Sequence, residues 1–184
     1  VRKNYQANYV DEYEYGVAMQ PSALLKVIQV FVANNSEGGK SAQAITAGIL
    51  DVYSSPDLVM TGRINDPSKN RPGDVCLFSD GSMSYLEKAF EVKDKPMSLS
   101  DIYIFGRDCV SKGAKEAAVV MSHEGQEKVD IATLNAWAEK RGITITLFLG
   151  WEELLKQSLF WSRSPTSELV NQAVKRIRAR LNAI

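Results

Sequence analysis

From residue 20 onward the apolar positions recur at helical spacing, then at strand spacing, then alternate between the two. Gln20-Pro21-Ser22 opens a helix, since proline is tolerated in a first turn where its missing N–H is not needed. LLKVIQVFVANN continues it, with Leu24, Ile28 and Phe31 on one face. SAQAITAGILDVY repeats the period through Ala44, Ile45, Ile49 and Val52, and Ser55-Pro56 ends it. DLVMTGRI, residues 57–64, reads as a first strand, NDPSKNRP as a loop, and GDVCLF, residues 73–78, as a second strand. Ser79-Asp80-Gly81-Ser82 is a tight-turn signal, Asp-Gly being the strongest short-range hairpin cue. A third strand follows, carries Glu91-Val92-Lys93, and is stopped by Pro96.

The second half alternates more regularly. Ser98 caps a helix to about Lys112, with Ile102, Phe105 and Cys109 or Val110 facing inward. EAAVVMSH is a continuously apolar strand of the kind buried in parallel sheets. Asp130 caps IATLNAWAEKRG, which ends at Gly142. ITITLFL is a further strand and GWEELLKQSLFW a helix. The last helix, from Ser164 on, has Val170, Val174, Ile177 and Leu181 as its apolar stripe. Its Lys175, Arg176, Arg178 and Arg180 lie off the stripe and read first as a solvated face. A meander followed by right-handed crossovers predicts an α/β fold: one mixed β-sheet with an αβββαβ core and helices on both faces. The expected organisation is a single domain over 1–184. Residues 1–36 form an N-terminal arm and helix, 37–161 the core, and 162–184 the C-terminal helix.

Composition changes this picture little. Acids and bases balance at 22 each, which argues against a generally basic nucleic-acid coat but leaves room for local basic grooves. Cys76 and Cys109 sit in apolar stretches without a C-x-x-C pattern, and are expected to be reduced, buried thiols of a cytoplasmic protein. No apolar run is long enough to span a membrane. A chain starting at Val1 rather than Met reads as a fragment or a trimmed chain. The tyrosine-rich residues 1–20 suggest an arm packing on the body and carry no chemistry.

The chemistry concentrates in 71–96, RPGDVCLFSDGSMSYLEKAFEVKDKP. Side chains alternate faces along a strand, so Glu91 and Lys93 point to one side, and an antiparallel partner can bring Asp74 beside them. Two hard oxygen ligands suit Mg²⁺, whose shell water and substrate phosphates complete. A lysine next to them can orient an attacking water and help deprotonate it, as metal-assisted phosphodiester hydrolysis requires.

Asp74 followed by Glu91-Val92-Lys93 after a hairpin resembles the PD-(D/E)xK nuclease motif, and the Gly73-Asp74-Val75 context is similar to a common variant of it. The predicted order of elements over roughly 37–125 also resembles the αβββαβ core of that superfamily. Within it, the stretch EGGKSAQAITAGILDVYSSPDLVMTGRINDPSKNRPGDVCL resembles type II restriction endonucleases of the SacI-like group. The resemblance implies a Mg²⁺-dependent DNA endonuclease that leaves a 5′-phosphate and a 3′-hydroxyl. It implies double-stranded DNA as partner and a homodimer as one assembly. Asp74 and Glu91 would hold the metal with the backbone carbonyl of Val92, and Lys93 would position the water. Glu37, near the start of the preceding helix, would be an accessory acid. Lys40, Arg63, Lys69, Arg71 and Lys95 are candidate contacts to the DNA backbone.

Two other readings stay open from the sequence. Asn34-x4-Gly39-Lys40-Ser41 is one glycine short of a phosphate-binding loop, which would suit a small nucleotide hydrolase with Asp80 as a magnesium partner. The preferred reading is a glycine-rich helix entry whose N–H groups could still meet an anion. The other is an inactive nuclease-like fold acting as a DNA-binding or assembly module. His123 is the sole histidine, so histidine-based nuclease and zinc sites lack ligands, and no G-x-S-x-G accompanies it. It is expected to cap a strand end, and the three tryptophans to pack in helices.

Overall fold

The structure, a computed structural model, describes residues 19–62 and 70–183. Six helices and five strands follow in the order α1 (Pro21–Asn34), α2 (Lys40–Tyr53), β1 (Val59–Thr61), β2 (Val75–Phe78), β3 (Leu86–Lys93), α3 (Leu99–Ser111), β4 (Glu116–Met121), α4 (Ile131–Glu139), β5 (Thr144–Leu149), α5 (Glu152–Trp161) and α6 (Thr166–Asn182). The strands form one sheet in the order β1-β2-β3-β4-β5. β1, β2 and β3 are antiparallel neighbours, while β3, β4 and β5 run parallel. This is the mixed α/β sheet that the periodicity predicts.

Alternation along the strands divides the core in two. Leu77, Phe90, Val92, Val120 and Phe148 face α1, α2, α5 and α6. Ala89, Val119, Met121 and Ile145 face α3 and α4. In α3 the choice between Cys109 and Val110 falls on Cys109, which is buried, while Val110 is exposed. Ser98 caps this helix in a full capping box with Asp101. Both cysteines are free and buried, and burial pushes the Cys76 thiol up to about 11 and that of Cys109 to about 12.

α2 is buried from Ser41 through Asp51, on every side. It passes so close to α6 that a Cβ placed on Gly48 would lie 2.6 Å from the Ile177 Cα. Asp51, 6% exposed, is matched from α6 by Arg180, whose Nε donates to one carboxylate oxygen at 2.9 Å and whose Nη2 donates to the other at 2.5 Å. The same Nη2 donates to the Val59 carbonyl at 3.0 Å. Arg180 therefore does not belong to a solvated face, as its place off the stripe suggests. Its guanidinium neutralises a buried acid that has no other way to sit inside.

Several boundaries differ from those predicted. β1 is shorter than 57–64, because Pro56–Leu58 form a 3-10 turn before it. The turn after β2 is part of a longer connection, in which the Met83 N–H bonds to Asp80 O and the Ser79 N–H to Tyr85 O. A register irregularity at Leu77/Phe78 precedes it. β5 is an edge strand, and Leu149 on it is 68% exposed. Trp161, at the end of α5, is exposed instead of packed, whereas Trp151 is buried. The arm predicted over 1–20 lies, except for its last two residues, outside the described residues.

The α2–α6 crossing fixes the sign of one substitution. In an open helix Gly→Ala gains about 1 kcal/mol. At position 48 the added methyl meets backbone, which cannot rotate away, and overpacking costs about 1–3 kcal/mol. Gly48→Ala should therefore lower the free energy of unfolding, measured by urea denaturation, with secondary structure retained.

Candidate active site

Gly73 delivers the first acid. Its φ is +72°, and a Cβ there would lie 2.5 Å from the Phe90 carbonyl oxygen, so only glycine lets the chain turn this close to β3. Asp74 follows, one residue ahead of β2, and its N–H donates to the same carbonyl at 2.8 Å. The Val92 N–H, past the last ladder pair Val75–Phe90 of β2 and β3, donates to Asp74 Oδ2 at 2.9 Å. The Val92 carbonyl leaves the strand on the side of its own N–H, toward Asp74.

Glu91 and Lys93 share the face of Ala89, on the α3/α4 side of the sheet. The Lys93 ammonium lies 2.5 Å from Glu91 Oε1 and 3.4 Å from Asp74 Oδ2. All three side chains are partly buried, with Glu91 the most covered at 18% exposure. Burial alone would lower the Lys93 pKa, but the Asp74 and Glu91 charges outweigh it and hold the amine above its usual value. The ammonium thus occupies the space between two carboxylates at the C-terminal end of β3, where α/β sheets commonly place their sites.

The structure brings together Asp74, Glu91, Lys93 and the Val92 backbone. It treats the remaining candidates differently. Glu37 lies exposed in the 3-10 turn Glu37–Gly39 ahead of α2, at a φ of +49°. The hydrogen bonds and the ion pair of the Asp74 carboxylate go to Val92 and Lys93, not to Glu37. Lys40 and Lys95 are exposed and open to a partner. The Arg71 guanidinium stacks over the Phe78 ring at 4.4 Å and donates to Met60 Sδ, so it packs against the meander instead of reaching outward. Arg63 and Lys69 lie outside the described residues. His123 sits at the end of β4, accepting from the Gly125 N–H, as a strand-end residue should.

The phosphate-loop reading fails on context. Such a loop joins a strand to a helix, and here the preceding element is the helix α1. The Gly39 and Ser41 N–H groups both donate to Ser36 O. The Ser36 hydroxyl donates to the Asp94 carboxylate, which lies 3.8 Å from where a Gly39 Cβ would be. An acid of the protein's own faces the turn, which disfavours a phosphate there. Asp80 is an exposed turn residue that bonds Ser82.

Three supports were not anticipated. Gln43 reaches from α2 to the Asp74 carbonyl, Lys112 from the end of α3 to the Arg71 carbonyl, and Asp94 to the turn before α2. Gln43 did leave a signal, as a long polar residue inside the small and apolar run SAQAITAGIL.

No group of three or more His, Cys, Asp or Glu suited to a metal occurs among the described residues. The pair Asp74 and Glu91 is a donor set of two hard oxygens, which fits Mg²⁺ and does not fit zinc. No described helix is long and apolar enough to cross a membrane.

No family model matches the chain. Over 116 residues, 62% of the chain, it is 31% identical to the type II restriction enzyme SacI of Streptomyces achromogenes. The matched part is 31% of that protein, so the chain spans about a third of the length of this relative. The mixed five-stranded sheet flanked by helices agrees with an α/β fold of the restriction-endonuclease kind.

The ion triplet has a pH signature. A raised folded-state pKa means that the ammonium contributes fully below the unfolded lysine value of about 10.4, and that the contribution is lost as pH rises through the folded value. Lys93→Met should cost about 1 kcal/mol of stability, discounted for its partial exposure. That gap should be constant from neutral pH to about pH 9 and close above about pH 10.4, as read by urea unfolding across pH.

Proposed function

We propose that this chain is a Mg²⁺-dependent DNA endonuclease, a type II restriction endonuclease or the catalytic part of one. The observation that carries the reading is the meeting of Asp74, Glu91 and Lys93 at the end of β3. The similarity to a type II restriction enzyme supports it independently.

In this reading Asp74, Glu91 and the Val92 carbonyl would hold Mg²⁺, which when bound would supply positive charge to a scissile phosphate. Asp74 is held in place by main-chain bonds, its N–H donating to Phe90 O and its carboxylate accepting from the Val92 N–H. The Lys93 ammonium is placed by both carboxylates, and its N–H donors would orient the attacking water in line with the phosphate. Its positive charge also faces the negative charge that develops on the phosphoryl oxygens. Double-stranded DNA is the substrate, with the exposed Lys40 and Lys95 as backbone contacts.

The test is incubation with plasmid DNA with and without Mg²⁺, then single-turnover cleavage and salt-dependent binding for three variants. Asp74→Ala and Glu91→Ala should each lower the cleavage rate by at least about 10³-fold, with DNA binding unchanged or tighter, because a carboxylate facing phosphates is gone. Lys93→Ala should lose about 10²- to 10⁴-fold in rate. Normal cleavage by Asp74→Ala or Lys93→Ala would place the catalytic centre elsewhere. DNA binding without any cleavage by the unaltered protein would point to a binding module instead.

A further inference from the structure

The buried amide of Gln43 belongs to no recognised motif, and it touches the site from the opposite face of the sheet. Gln43 is 8% exposed, on a helix whose neighbouring positions are packed with Ala42, Ala44 and Ile45. Its Nε2 donates to the Gly62 carbonyl at 2.9 Å and to the Asp74 carbonyl at 2.6 Å. Gly62 and Asp74 are themselves joined, the Gly62 N–H donating to Asp74 O at 2.8 Å. Gly62 is the first residue after β1 and Asp74 the last before β2. One amide therefore closes the neck where the chain leaves β1 and returns at β2 with the candidate acid.

We propose that Gln43 is a positioning residue for divalent-cation binding, acting through the Asp74 main chain. This rests on the metal-dependent reading of Asp74 and Glu91. The argument is geometric. The Asp74 carboxylate is aimed by its own backbone, and that backbone is held by three partners: Phe90 O accepts its N–H, while Gly62 N–H and Gln43 Nε2 donate to its carbonyl. Gly73 on its N-terminal side has a φ of +72° and no side chain, so it adds no packing of its own to hold Asp74 in place. Without the amide, the Gly62 carbonyl loses a donor and the Asp74 carbonyl keeps one, so the neck loosens at the residue that must hold a cation. Outer partners of metal ligands act in this way, and their loss typically weakens metal binding by about 10- to 100-fold. Glutamate would not replace glutamine here, because a carboxylate would face two carbonyl oxygens.

The test is calorimetric titration of the protein with Mn²⁺, without DNA, on the unaltered chain and on Gln43→Met, Gln43→Asn, Gly48→Ala and Asp74→Ala. Gln43→Met keeps side-chain volume and removes the donors. Gln43→Asn keeps a buried amide too short to reach both carbonyls, and carries the comparison if the methionine variant does not fold. Gly48→Ala destabilises the same helix away from the neck. The expected result is an Mn²⁺ dissociation constant raised about 10- to 100-fold by either Gln43 variant and unchanged by Gly48→Ala. In cleavage assays the Gln43 variants should need more Mn²⁺ for half-maximal rate and regain most of the rate at saturation. If a folded Gln43 variant binds Mn²⁺ within about threefold of the unaltered chain while Asp74→Ala loses binding, the positioning role is wrong and the metal reading stands. The positioning role is equally wrong if Gly48→Ala weakens Mn²⁺ binding as much as the Gln43 variants do. If the unaltered chain and Asp74→Ala titrate alike, the metal reading fails and this inference fails with it.

Discussion

A helix with no face turned to water sets the terms for the rest of this molecule. α2 must be covered by the sheet on one side and by α5 and α6 on the others, which is why α6 approaches within backbone contact at Gly48. Such a helix cannot carry a polar group without a partner supplied from elsewhere in the chain. Thr46 solves this locally, donating to Ala42 O of its own helix. Asp51 and Gln43 cannot. Asp51 is matched by Arg180, which anchors the C-terminal helix to the start of β1. Gln43 is matched by two carbonyls at the edge of the meander. Polar residues in the core thus act as long-range staples, and one of them ends at the candidate site.

The site itself is assembled mainly by backbone. Phe90 O fixes Asp74, the Val92 N–H fixes its carboxylate, and strand alternation sends Glu91 and Lys93 to a common face. The ammonium between the acids offsets part of their mutual repulsion in a partly buried setting. The triplet keeps a net negative charge of one, which leaves it attractive to a cation. Just past the end of β3, Asp94 meets the turn that opens α2. Consecutive residues of one strand end therefore face different layers, and both layers converge on it.

Local rules carried the sequence reading a long way. The Ser98 capping box, the buried face of α3 and the order of strands and helices follow from spacings within one or two turns of chain. The proximity of Asp74 to Glu91 and Lys93 follows from a single hairpin and the period of a strand. What the sequence hides is the choice of partner across the fold. Arg180 looks solvated because its acid is more than a hundred residues away. Arg71 looks like a phosphate contact, yet the Phe78 ring lies beside it after the chain turns back. Gly38-Gly39-Lys40-Ser41 resembles a phosphate loop by composition, while the helix before it and the acid facing it belong to tertiary structure. The short β1 and the exposed β5 depend on sheet position, which periodicity does not encode.

The two thiols mark the opposite banks of one layer. Cys76 lies on β2, two residues from Asp74, and pairs in register with Ala89, whose side chain faces α3 and α4. Cys109 lies on α3 and faces the same layer from the helix side. With burial holding both far above neutral pH, almost no thiolate exists in the folded state to attack an alkylating reagent. Reaction at either sulfur then proceeds through opened molecules, so the labelling rate counts openings rather than surface chemistry. One sulfur rides on the strand that presents Asp74 and the other on the helix that covers it, so the chain carries its own two-channel clock. Equal rates mean that strand and helix part in a single event, and unequal rates mean that one bank frays while the other holds.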